Sequence, residues 1–256
     1  NGWAINALAI FYVVTVDDRA SAEPARAAEW IIANRSLPGG GFRHDAQDAG
    51  GPYLGDTIYM GRAFLELHAV SADRKWLERA EAAARFVEKN FKSEIGYIPF
   101  TQPLAAKLIP KPHVDENVAV ARVTSLLNHY TGNAAYREMA EHAMSFLALP
   151  AVNENHGFGV AGFLLASESL STPPLHLTVV GKKDDPEARA LFAAALKEPA
   201  NDKRVEWWDR AEGPLPNPDV PYPELEKAAA FVCTDRSCSA PIFDPEKIPA
   251  FVRRKK

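Results

Sequence analysis

The chain has 256 residues, of which 47% are hydrophobic and 24% charged, and a formal net charge of −4. That apolar fraction excludes a disordered chain. No apolar run reaches the ~20 residues that a membrane-spanning helix needs. The mild acidity gives no electrostatic reason to expect a nucleic acid or an anionic membrane as partner. The basic run Arg253-Arg254-Lys255-Lys256 reads as a solvated end.

The sequence opens on Asn1-Gly2-Trp3 and enters apolar residues at once, so it reads as cut from something longer. From Trp3 to Val14 there is no charge, which predicts a helix buried on all sides. Similar apolar helices are predicted over Ile58–Leu67, charged only at Arg62 and Glu66, and over Val118–Leu127, charged only at Arg122. Each is followed by an amphipathic helix. Trp76, Leu77, Ala80, Ala83, Ala84, Val87 and Phe91 form one stripe, with Arg and Lys/Glu residues filling the other face. The pattern repeats at an offset of 60: Trp76 falls on Tyr136, Ala80 on Ala140, Ala83 on Ala143 and Phe86 on Phe146, while Asp56 falls on Glu116. A weaker copy lies upstream at Ala25, Ala28 and Ile31. Asp73 and Asn133 are the expected N-caps of the outer helices. Phe158–Leu170 reads as a fourth inner helix without an outer partner.

Buried helix, turn and surface helix at a period of about 55–60 residues read as a mainly α fold, a partial α/α toroid over residues 1–170. Loops 36–52, 92–114 and 149–156 are long and rich in Gly, Pro and His, and in a toroid such loops gather over one mouth. After Ser171 the pattern changes to a small C-terminal α/β subdomain, residues 171–256. Leu175–Gly181, Val205–Asp209 and Ala228–Cys233 read as strands, with a helix over Asp184–Leu196 and a proline-rich loop at 213–223. Trp207-Trp208 is expected to pack on the helical body. Cys233 and Cys238 are the only cysteines, spaced C-x4-C. Two readings stand: a pair of small, partly buried thiols at a strand end, or a local disulfide across a short turn. Two ligands do not close a metal site, so no metal and no cofactor is expected.

Several short motifs fall in a fixed order: Asn1-Gly-Trp-Ala-Ile-Asn-Ala-Leu-Ala9, Tyr53-Leu-Gly-Asp56, Asp115-Glu-Asn117, Tyr130-Thr-Gly-Asn133, Leu177-Thr-Val-Val-Gly181 and Ala230-Phe-Val-Cys-x4-Cys-Ser-Ala-Pro241. In this the chain resembles the C-terminal part of the YyaL/spermatogenesis-associated family of thioredoxin-like proteins. The resemblance implies a six-hairpin glycosidase-like helical region, similar also to N-acylglucosamine 2-epimerases, downstream of a thioredoxin-like domain. The family's usual Leu-Glu-Asp is Leu54-Gly55-Asp56 here, one acidic group fewer. The implied partner is the N-terminal region with that domain and the first hairpins, or a second copy through the apolar end helices. The sequence leaves the compartment open between cytoplasmic and periplasmic.

Asp56, Asp115 and Glu116 stand at the starts of inner helices, where they either cap the helix or face a substrate. His44, His113 and His156 lie in the loops and are candidate binding or acid–base groups, since histidine titrates near neutral pH. Trp3, Tyr53, Tyr59, Phe42 and Phe100 are either core aromatics or the wall of a sugar site. Two functions follow. In the first, the helical region is a non-catalytic binding or scaffold module for the thioredoxin-like domain, a reading favoured by the missing acid at Gly55. In the second, it is a carbohydrate-active domain, epimerase-like or glycosidase-like, with a sugar as its ligand. Carboxylates of Asp56 and Glu116 in one shared cavity would favour the second.

Overall fold

The computed structural model describes residues 1–15, 18–47, 51–102, 109–152, 160–234 and 237–255. It is mainly helical with one three-stranded sheet. Helices α1 (Gly2–Thr15), α3 (Leu54–Ser71), α5 (Val114–Thr131) and α7 (Ala161–Ser171) pack one against the next as an inner row. Helices α2 (Asp18–Arg35), α4 (Arg74–Phe91) and α6 (Ala134–Leu147) each pair with the inner helix before them. On α4, Trp76, Ala80, Ala83, Val87 and Phe91 are buried while Arg79 and Arg85 are exposed, as the stripe predicts. Trp76 stacks on Phe64 of α3 with ring centroids 5.8 Å apart; burial of each such side chain contributes about 1.5–3 kcal/mol.

The offset of 60 is visible in backbone geometry. Helix α3 ends on Ala72 and α5 on Gly132, both left-handed, and each donates its N–H back to the carbonyl four residues earlier. A left-handed residue turns the chain sharply and satisfies an orphan carbonyl. Next in each hairpin comes the outer-helix cap: Asp73 accepts from the Lys75 N–H and Asn133 from the Ala135 N–H. The all-round burial predicted for Trp3–Val14 is not met: only Gly2, Ile5 and Ala9 of α1 are buried, because α2 and α3 cover only part of its surface. Trp3, Ile10, Phe11 and Val14 on α1 are open, as is Leu164 on α7.

Beyond α7 the chain forms β1 (Leu175–Val180), α8 (Pro186–Lys197), β2 (Lys203–Trp208), β3 (Ala229–Cys233) and α9 (Ile248–Lys255). The strand order is β2-β1-β3, with β1 parallel to β2 and antiparallel to β3. Leu177, Val179, Val205, Ala230 and Val232 face α8 and α9 in one core. His176, Thr178, Arg204 and Glu206 lie on the other face with Phe231 and Cys233, against the segment carrying Leu215, Val220 and Tyr222. The sheet is joined to the helices by polar bonds. The buried Tyr130 hydroxyl accepts from the Val205 N–H at 3.1 Å and lies 3.3 Å from the Val205 carbonyl; Lys183 Nζ donates to the Ala72 carbonyl.

Three expectations meet the structure here. The strand that holds Trp207 and Trp208 packs on α3 and α5 as expected, while the two rings find their partners within the α/β unit. Trp207 lies on Phe192 of α8 and Trp208 on Tyr222. The C-terminal run is helical from Ile248 to Lys255, anchored by buried Ile248 and Val252, with Arg253 exposed as a solvated end requires; Lys256 lies outside the described residues. Cys233 and Cys238 form a disulfide across the turn after β3, which decides between the two readings of the pair.

Candidate functional site

One cavity of about 390 Å³ opens at the N-terminal ends of α1, α3 and α5. Its position follows from how loop 36–44 folds back. Ser36 and Phe42 form a β-bridge, the Arg43 N–H donates to the Arg35 carbonyl, and the Phe42 N–H donates to buried Thr57 Oγ1 of α3. This carries His44 to Asp56, with Nδ1 3.1 Å from both carboxylate oxygens. A second loop is pinned the same way. Asn117 of α5, wholly buried, accepts from the Tyr97 N–H and donates to the Tyr97 and His113 carbonyls. The Leu54 N–H donates to the Pro99 carbonyl and Tyr53 bridges to Phe100, so the start of α3 is fixed between two loops.

Asp56 and Glu116 both line this cavity. Trp3 and Tyr59 contribute a tilted ring pair with centroids 5.1 Å apart, and the Tyr53 ring meets His44 edge-on at 5.7 Å. His113 touches the site through Glu116, its Nδ1 3.5 Å from Oε2. Asp115 is exposed and does not line the cavity, though its charge reaches Glu116 and Tyr59. His156 lies outside the described residues. Arg35 and Arg43 also line the cavity, though the sequence does not mark them as candidates. They enter because the backbone bond between them closes the loop that brings in His44.

Glu116 decides what the site can do. Burial pushes its carboxyl above the ordinary glutamate range, and the charges of Asp56 and Asp115 add to this; His113 and the Gly55 N–H pull the other way. A carboxylate that served only as a cap at a helix N-terminus would be lowered by the N–H groups and the macrodipole. Here burial wins. Oε2 is buried without a hydrogen-bond partner among the described residues. A buried carboxyl whose protonated form is favoured by its surroundings is suited to donate a proton. Burial likewise raises Tyr59, and the charges of Glu116 and Asp115 reinforce it.

Gly55 explains how Glu116 fits. A Cβ at this position would come 2.9 Å from Glu116 Oε1. The residue that looks like a lost acid thus opens the space that the acid of the next repeat occupies. Gly55→Ala is expected to leave stability within about 1 kcal/mol of the parent, since helix propensity offsets the contact. It should also displace the carboxyl and return its titration toward the ordinary range. Carboxyl-detected NMR titration checks this; an unmoved Glu116 would show that Gly55 does not shape the site.

No group of three or more His, Cys, Asp or Glu among the described residues is placed to hold a metal ion. No described helix is long and apolar enough to cross a membrane. No protein-family model and no curated protein matches the sequence. Among solved structures, a variant unsaturated glucuronyl hydrolase with dGlcA-Glc-Rha-Glc is similar at 15% identity and a TM-score of 0.49. The match covers 77% of this chain and 59% of that protein, so the chain spans less than two thirds of its length.

Proposed function

We propose that the cavity at the inner-helix N-termini binds a sugar and cleaves a glycosidic bond, with Glu116 as proton donor and Asp56 as the partner carboxylate. The observation that carries this reading is that the two acids, 60 residues apart and equivalent in the repeat, line one cavity walled by aromatic rings. Glycoside cleavage needs one protonated and one ionised carboxyl flanking the bond. The raised Glu116 suits the first role. The His44 imidazole, 3.1 Å from both Asp56 oxygens, holds that carboxylate in position for the second. Tyr59 and Trp3 offer flat apolar faces of the kind that pack against sugar rings.

On the same reading the hairpins are consecutive members of an α/α ring, and the chain belongs with the YyaL/spermatogenesis-associated proteins. The inner row, the outer helices and the repeated left-handed turns support the ring. The test is saturation-transfer NMR with neutral, N-acetylated and uronic-acid disaccharides, followed by assay of reducing-end release. Binding by at least one class, weakened in Tyr59→Leu, is the expected result. No binding by any class at millimolar concentration would overturn the sugar reading and return the helical body to a scaffold role.

A further inference from the structure

A second cavity, about 350 Å³, lies between the C-terminal half of α1, the middle of α3 and α5, and the chain from Leu196 to Lys203. That volume is at the small end of the range for ligand sites. Its walls are largely aliphatic, with Val13 from α1, Leu65 and Val70 from α3 and Leu126 from α5. Its floor is charged. The three charges that stand out on the apolar inner helices, Arg62, Glu66 and Arg122, all face it.

These charges are not equally occupied. Arg122 is committed, donating to Asp202 at 2.9 Å, and Asp202 also accepts from Ser169. Lys203 donates to the Leu196 carbonyl and has Glu66 and then Glu198 as its electrostatic neighbours. Arg62 has no hydrogen bond or ion pair among the described residues, although Glu66 stands one turn further on α3. Burial raises the Glu66 carboxyl, which biases it toward the neutral form that donates a hydrogen bond. A half-buried guanidinium without a protein partner is costly unless something else satisfies it. A planar guanidinium is also the side chain best matched to a carboxylate.

We propose that this cavity binds a small monocarboxylate with an apolar body, its carboxylate held by Arg62 and the Glu66 carboxyl and its tail against Val13, Leu65 and Leu126. Of the two cations on the inner helices, Arg122 is already paired and Arg62 is left over, which suits a single negative charge. The site is separate from the cavity with Asp56 and Glu116, and the proposal stands whether or not a sugar binds there.

The test uses octanoate as probe, with 1-octanol and octylamine as controls of equal tail, on the unmodified chain by calorimetry. Octanoate should bind more tightly than either control. Arg62→Met keeps the apolar stem and should weaken octanoate by roughly tenfold or more, with 1-octanol unchanged. As a measurement that needs no variant, octanoate chain protons should give nuclear Overhauser contacts to the Val13 and Leu126 methyls. Octanoate binding no tighter than 1-octanol, equal binding to Arg62→Met, or contacts elsewhere on the surface would each overturn the proposal.

Discussion

Arg204→Leu should destabilise the protein by about 3–5 kcal/mol, the range for removing one partner from a buried ion pair. Arg204 is 2% exposed. It bonds Glu206 at 3.0 Å, Asp219 at 2.5 Å and the Asn217 carbonyl at 2.9 Å. Glu206 is 4% exposed and also meets His176 at 3.1 Å; the chain of bonds continues through Thr178 to the Tyr222 hydroxyl. Leucine at 204 would leave the Glu206 carboxylate buried with only an imidazole beside it. It would also free the proline-rich segment at Asn217 and Asp219, which covers this face of the sheet. The double variant Arg204→Leu/Glu206→Leu should recover much of the loss, because the desolvation cost of the pair disappears with both charges. Urea denaturation of the four members of the cycle gives the coupling directly. A single-variant loss below about 1 kcal/mol would mean that water, not Arg204, satisfies Glu206.

This network marks where the sequence stops being informative. Strand β2 is readable from its β-formers over Val205–Asp209; the structure extends it back to Lys203, and alternation then places Arg204 and Glu206 on one face. That the face is buried depends on a segment ten residues later folding over it, which no local pattern encodes. The helical hairpins were legible for the opposite reason. Their signals are local and doubled: a stripe, a left-handed turn and a cap recur at Ala72–Asp73 and Gly132–Asn133. The site lies between these cases. Asp56 and Glu116 were visible as repeat equivalents and Trp3 and Tyr53 as aromatics near the helix starts. Arg35 and Arg43 were not, since a backbone bond across a loop brings them in. Helix α9 was hidden by its basic end, because two buried residues, Ile248 and Val252, are too few to make a periodic signal.

On the proposed function, Glu116→Gln should lower glycoside turnover by about 10²–10⁴-fold while leaving sugar binding nearly unchanged, the usual scale for loss of a general acid. Glutamine keeps the shape and can still accept from the Gly55 N–H, so a residue that only closed the end of α3 would tolerate the change. Asp56→Asn should lower turnover as well, with His44 left beside a neutral amide. The pH dependence separates the roles further. As an acid, Glu116 works only while protonated, so its raised pKa extends activity upward in pH and sets the alkaline limb. The same shift has a stability consequence. The folded chain holds this proton more tightly than the unfolded one, so the associated stability is present below the unfolded-state pKa. It is lost as pH rises through the folded-state value. Glu116→Gln abolishes that loss, and its urea midpoint should rise relative to the parent as pH increases across the titration. Stability curves that stay parallel would remove the physical basis for Glu116 as proton donor. A Glu116→Gln variant with full turnover would remove the chemical one.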